Sequence, residues 1–156
     1  MLFSKEVDSL HWVVTNKGDQ ECRALADRHY SRQTPGAKLF TRPGRNLVLR
    51  TEDATAVWVT WSGIRDDGVD AWECTIFRNE SPYLSSDLIR EAVAVTLREW
   101  GEPPPGGIIT YVDQSKVRSA NPGFCYLMAG WTRMGFSKRR KLLRLSAPLN
   151  SREISA

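Results

Sequence analysis

The 156-residue sequence predicts a mixed α/β domain of the α+β kind, with a mainly antiparallel sheet of about six to seven strands and three to four helices. Three observations carry that expectation. Runs rich in β-branched and aromatic residues recur between turn-forming residues, as in Ala54 to Ser62 and Ile108 to Val112. Two other segments, near residues 19–29 and 86–100, place apolar residues at helical spacing. The connections between three central strand candidates are too short for parallel crossovers. The chain is 41% hydrophobic and shows no composition break, so 1–156 reads as one domain with a tail from about residue 148.

The elements follow in order. Leu10 to Thr15 reads as a first strand, ended by the turn Asn16-Lys17-Gly18-Asp19. A helix starts at Asp19, whose carboxylate caps free amides, and runs to about His29 with Cys22, Leu25, Ala26 and His29 on one face. Ser31 to Arg45 has no period and reads as a ligand-facing loop. Asn46 to Arg50, Ala54 to Ser62 and Ala71 to Asn79 form an antiparallel meander. Ser86 to Trp100 is an amphipathic helix stopped by Gly101. After Pro103-Pro104-Pro105-Gly106-Gly107 comes the strand Ile108 to Val112, then a helix opened by Asn121-Pro122-Gly123. Trp131 to Ser137 and Lys141 to Ser146 close the chain as a hairpin, with Lys138, Arg139 and Arg140 at its tip.

Charge is segregated along the chain. Residues 22–50 hold seven Lys/Arg against one acid, residues 52–102 hold four against eleven, and residues 103–152 hold nine against Asp113 alone. Two basic segments flanking an acidic one make a polyanion footprint if they fold onto one face, since phosphate contacts dominate nucleic-acid affinity. Arginine predominates among the 22 basic residues and suits bidentate phosphate contact. A solvated surface with scattered cations is the plainer reading of the same residues. The three cysteines, Cys22, Cys74 and Cys125, lack metal-ligand spacing and read as reduced thiols. No apolar run is long enough to span a bilayer, and Glu6 and Asp8 interrupt a signal-like start, which points to the cytoplasm.

The most informative stretch is Thr110 to Gly135, where Asp113 is delivered at a strand end. Asp113 serves either chemistry or the capping of the following turn. His29 is either a hydrogen-bonded core residue or a base beside the basic loop, while His11 lies inside a strand pattern without chemical neighbours.

The order of elements resembles the GNAT acyltransferase superfamily, in which a central sheet splits between its fourth and fifth strands to seat acyl-coenzyme A. The wording Ala26-Asp27-Arg28-His29-Tyr30-Ser31-Arg32, Pro43-Gly44-Arg45, Phe77-Arg78-Asn79-Glu80, Tyr111-Val112-Asp113 and Asn121-Pro122-Gly123-Phe124-Cys125-Tyr126 resembles the phage-encoded Mom group, GNAT-like proteins associated with modification of DNA bases. That resemblance implies a transferase acting on an amine of a DNA base, adenine N6 in the Mom-like case, in the cytoplasm of a bacterial host if the chain is phage-encoded. His29, Tyr30 and Asp113 are then candidate bases for the amine proton, with Tyr126 beside them as a further catalytic candidate. Ser31, Arg32, Arg42, Arg45, Arg78, Lys116, Arg118, Lys138, Arg139 and Arg140 are candidates for contacting DNA, and Tyr111 for stacking on a base. Phe124 and Trp131 could stack as well, though a core role suits them better.

The sequence departs from the superfamily at the turn that holds the coenzyme pyrophosphate. Residues 78–87, Arg-Asn-Glu-Ser-Pro-Tyr-Leu-Ser-Ser-Asp, contain no glycine, and Glu80 and Asp87 would repel phosphate. Ser85 and Ser86 either offer hydroxyls and amides to a coenzyme A thioester such as acetyl-coenzyme A or cap the helix. Two other functions fit the residues: an acyl-coenzyme A N-acyltransferase for a small or protein amine, and a DNA-binding protein without chemistry. No metal is expected.

Overall fold

The structure, a computed structural model, describes residues 10–28, 40–115, 123–137 and 141–149. Strands form where β-branched and aromatic residues cluster: β1 (Trp12–Val14), β2 (Arg45–Thr51), β3 (Ala56–Ser62), β4 (Trp72–Asn79), β5 (Ile108–Val112), β6 (Thr132–Phe136) and β7 (Leu143–Ser146). Helices α1 (Gln20–Asp27), α2 (Ser85–Trp100) and α3 (Phe124–Met128) intervene. The seven strands make one sheet in the order β1-β2-β3-β4-β5-β7-β6. Every neighbouring pair is antiparallel except β4 and β5, which α2 connects as a parallel crossover. No described helix is long and apolar enough to cross a membrane.

Strand alternation divides the core between the two sheet faces. Leu47, Leu49, Trp58, Cys74, Ile108, Val112, Leu143 and Leu145 pack with α2 and α3, whereas Val48, Val57, Val59 and Ile76 pack with Cys22, Leu25 and Ala26 of α1 and with Phe40. A buried polar chain joins β3 to α2. Trp58 Nε1 donates to Thr60 Oγ1 at 2.8 Å, the two threonine hydroxyls Thr60 and Thr96 lie 3.0 Å apart, and Thr96 Oγ1 donates to the Ala92 carbonyl at 2.8 Å. The Thr60 hydroxyl must therefore donate to Thr96, which leaves each polar atom in the chain satisfied.

β4 breaks its alternation once. Val59 pairs with Ile76 but Thr60 pairs with Cys74, so Thr75 is an extra residue, a β-bulge. The bulge flips the parity of everything after it: Ile76 joins the α1 side and Phe77 the α2 side.

Local chemistry sets the helix ends. Asp19 Oδ1 accepts from the Glu21 and Cys22 amides at 2.9 and 3.1 Å, while Oδ2 accepts from Thr15 Oγ1 and Arg50 Nε. Burial pushes the Asp19 carboxyl up, but these hydrogen bonds and the Arg50 charge outweigh it and hold it below its ordinary value. α1 ends at Asp27, two residues short of His29, because Arg28 turns its amide back to Leu25 and Ala26. At α3 the N-cap is Gly123, with φ of 77°, and a Cβ there would lie 2.7 Å from Leu145 Cδ1. The dihedral favours glycine, and a side chain there would also have to displace the end of Leu145.

Replacing Asp19 with alanine removes the cap and the Arg50 tie, and is expected to destabilise the fold by about 1–2 kcal/mol. Because the folded carboxyl is depressed, that contribution is full above the ordinary carboxylate range and fades as the pH falls through it. Urea denaturation of the wild type and Asp19→Ala at neutral and acid pH measures both; equal stability loss at every pH would refute the ionic origin.

Candidate functional site

β4 and β5 are paired over three positions only, Trp72 with Ile108, Glu73 with Ile109 and Cys74 with Thr110. Beyond Cys74 the strands part. Thr110 Oγ1 donates to the Cys74 carbonyl at 2.8 Å and closes the last rung, and the Thr75 bulge lies immediately after it. This fork is the candidate site.

Tyr126 on α3 places its hydroxyl at the parting, 3.6 Å from Cys74 Sγ. Its ring packs edge-on against Phe77 and Trp131, with centroids 6.2 and 4.9 Å away, and Trp58 meets both Phe77 and Trp131. Four aromatic rings thus close a circuit over the fork, each pair in the favoured edge geometry. Burial pushes the Tyr126 hydroxyl well above its ordinary value, and the neighbouring Cys74 and Cys125 push it further. It is a proton donor across the physiological range. Burial likewise raises the Cys74 and Cys125 thiols, so neither supplies a thiolate nucleophile. Two buried polar atoms near the fork, Thr75 Oγ1 and Trp131 Nε1, have no hydrogen-bond partner among the described residues.

The turn leading from β4 into α2 is built by a side chain where the superfamily pattern would use glycine. Asn79 Nδ2 donates to the Tyr83 carbonyl and Ser85 Oγ, and Asn79 Oδ1 accepts from the Ser81 amide and hydroxyl. Ser85 and Ser86 do not cap α2. The N-cap is Leu84, without a side-chain cap bond, while Ser85 Oγ faces Asn79 and Ser86 is buried. The first-turn amides therefore depend on other partners.

The acids of this turn do not act as free negative charges. Glu80 takes a bidentate contact from Arg28, at 2.6 and 2.9 Å, and a third bond from Arg78 at 2.9 Å. Arg78 also donates to the Arg28 carbonyl, so the end of α1 is tied to the end of β4. These bonds, Arg28's first, hold the Glu80 carboxyl down at about 2. Asp87 is paired with Arg90. Glu80 is thus neutralised inside the molecule by two guanidiniums, of which Arg28 also feels the Asp27 charge.

Other candidate residues lie elsewhere. Asp113 Oδ1 accepts from the amide and hydroxyl of Ser115 at 3.0 and 2.6 Å, so it does cap its turn. Arg42 and Arg65 both reach Glu73, at 3.2 and 3.0 Å, and stack on Trp61. Arg65 also grips Asp67, which in turn accepts from the Tyr111 hydroxyl at 3.0 Å. The Arg65 bonds hold Asp67 well below the usual carboxylate range. Tyr111 is thus a structural donor on the sheet face opposite α2. Arg45 lies 4.2 Å over the Trp100 ring at the C-terminal end of α2, where a cation suits the helix dipole. His11 has chemical neighbours after all: Nδ1 lies 2.7 Å from Glu91 Oε2, and the ring stacks on Tyr83. His29, Tyr30, Ser31, Arg32, Lys116, Arg118, Lys138, Arg139 and Arg140 fall outside the described residues. Among the described residues no group of three or more His, Cys, Asp or Glu side chains is arranged to hold a metal ion. A depression of about 610 Å³, lined by Arg65, Ala71, Trp72 and Pro103, lies at the opposite end of β4 from the fork.

Fold and fork together define a mixed α/β domain whose mostly antiparallel sheet opens at its one parallel pair. No family model matches the chain, and no curated protein or solved structure is significantly similar to it.

Glu73 is 4% exposed and takes charged hydrogen bonds from Arg65 and Arg42, so Glu73→Gln is expected to cost about 1–3 kcal/mol, Arg65 keeping its bonds to Asp67. A shift of the denaturation midpoint no larger than that of an exposed Glu→Gln control would refute the network's role. Glu80→Gln should release the end of α1, seen as faster hydrogen exchange at Ala26 and Arg28. The same release is expected in the wild type as the pH falls from the ordinary value of 4.5 toward about 2, because a depressed carboxyl loses its contribution on protonation.

Proposed function

We propose that the chain is a GNAT-like transferase that modifies an amine of a DNA base, with the fork between β4 and β5 as its donor seat. The observation that carries the reading is the parting of β4 from β5 at Cys74 and Thr110 with the Tyr126 hydroxyl at the parting. The strand order, with its single parallel pair, supports it.

The residues present fit a phosphate-bearing acyl donor such as a coenzyme A thioester. Beyond Cys74, β4 has no strand partner on its β5 side, so its backbone groups are available to an extended ligand. The first-turn amides of α2 lack a side-chain cap, and Arg28 and Arg78 neutralise Glu80 beside them. Thr75 Oγ1 and Trp131 Nε1 are buried polar atoms that a carbonyl-containing ligand would satisfy. Such a donor supplies an activated carbonyl carbon. Tyr126 holds a proton at its Oη for the departing group, since its environment keeps it protonated. Asp113, at the end of β5, is the candidate base for the attacking amine among the described residues; His29 and Tyr30 are candidates beyond them.

DNA as the acceptor rests on the two basic sequence segments and on the Mom-like wording. With Arg42, Arg45 and Arg78 engaged inside the molecule, the phosphate role passes to Arg32, Lys116, Arg118, Lys138, Arg139 and Arg140. That same engagement favours a second reading, in which the fork serves a small-molecule or protein amine.

Mass spectrometry of nucleosides from cells expressing the wild type is expected to show a modified base. Tyr126→Phe should lower its rate of formation by about a hundredfold or more if the hydroxyl is the general acid. Unmodified nucleosides from a folded wild type, in a host that supplies every donor, would remove base modification. Duplex affinity should also fall steeply with salt, and a flat response would remove DNA as the acceptor.

A further inference from the structure

The geometry points to a DNA-unstacking wedge on α3 and β6, made of Phe124, Met134 and Phe136, that opens the duplex beside the fork. This inference rests on the DNA reading above and adds the means by which a paired base becomes reachable. A base inside a duplex cannot enter an active site until it is unstacked and extruded.

The side chains concerned are apolar and left in solvent. Phe124 is 52% exposed, Met134 50% and Phe136 58%, and Met128 on α3 is 53% exposed as well. Every residue of β6 is exposed although the strand is paired with β7 at every position but Met134. β6 also ends the sheet, so no strand among the described residues flanks its outer side. Exposed aromatic and methionine side chains concentrated on two neighbouring elements mark a contact surface.

The fold gathers them at one place. Phe136 is paired with Leu143, whose side chain belongs to the core under α2 and α3, so Phe136 projects on the α3 side of the sheet. Gly123 abuts Leu145 and Val112 on that same side, which sets Phe124 over the same end of the sheet. Met134 is the extra residue of a bulge between Arg133 and Gly135, and Gly135 has φ of 102°. Such a bulge twists the strand edge and re-aims the extra side chain. Phe136 also borders a depression of about 450 Å³ shared with Gln114, Ser137 and Lys141. Gln114 follows Asp113 directly, so a base displaced by the wedge emerges beside the end of β5 and the mouth of the fork.

Charge selects the partner. Residues 103–152, which contain the wedge, carry nine Lys/Arg against Asp113 alone. Apolar side chains set within a strongly basic segment match a duplex, whose phosphates meet the cations while the wedge enters a base step. The core of a protein-docking patch, by contrast, is depleted of charge.

The test uses the full chain with short duplexes carrying a fluorescent adenine analogue whose emission rises on unstacking. Wild type is expected to raise the emission on binding. Phe136→Ala should lower that rise by about fivefold while changing affinity by less than about threefold, because wedge residues unstack and phosphate contacts bind; its exposed position leaves the fold unaffected, as circular dichroism would verify, and Phe136→Leu should keep part of the rise. Binding without any rise would overturn the wedge and leave DNA as the acceptor. Absence of binding would overturn both. Self-association of the free protein that Phe136→Lys abolishes would assign the surface to a second copy of the chain and overturn the wedge.

Discussion

The structure hangs on a rung. One hydrogen bond, from Thr110 Oγ1 to the Cys74 carbonyl, closes the last position at which β4 and β5 are paired, and the sheet opens from there. A sheet that parts in its interior exposes backbone and leaves a wedge of space that something must fill. Four aromatic rings, Trp58, Phe77, Tyr126 and Trp131, line it on the α3 side. Edge-on aromatic pairs contribute about 0.5–1.5 kcal/mol each beyond their burial, so the circuit offsets some of the pairing lost at the fork. The Tyr126 hydroxyl is the polar exception in that circuit, and its position at the parting follows from the need to pack its ring there.

Arginine in this chain has two employments. Arg65 is consumed by Glu73 and Asp67, Arg50 by Asp19, Arg28 and Arg78 by Glu80, and Arg45 by the face of Trp100. Three of these contacts, Arg50 with Asp19, Arg28 with Glu80 and Arg45 with Trp100, join residues distant in sequence, and each of the three holds a helix end. Arg28 and Arg42 of the first basic segment are paired with Glu80 and Glu73 of the acidic one. Residues 103–152 are different, for their one acid, Asp113, lies in a turn with Ser115. In sequence, the excess of cations over acids is therefore greatest in the last third of the chain.

Much of the scaffold was visible in the residues. Ile108–Val112 was bounded correctly because Gly107 before it and Asp113 after it are strong turn formers, and Asp19 was recognisable as a cap because a carboxylate preceding an apolar-periodic run has few other uses. The antiparallel meander followed from loop length alone. Less of the site could be read. Thr75 is an ordinary strand residue, and nothing local distinguishes a bulged threonine from a paired one. Tyr126, named among the catalytic candidates, proved to stand at the fork, but Cys74 and Thr110 beside it carry no motif. Arg42, Arg45 and Arg78 looked like phosphate ligands because a guanidinium's partner is chosen by tertiary contacts. His11 was passed over for the same reason, since Glu91 lies 80 residues away along the chain.

The Thr75 bulge has a consequence for how this chain can vary. Loss of that one residue would restore simple alternation and leave Ile76 opposite Val59 on the α1 side and Phe77 on the α2 side, so neither core exchanges a member. Thr75 is thus the one place in β4 where the strand can shorten by a residue and keep its pairing with β3. A related chain aligned through this strand can lack that residue and still match both cores.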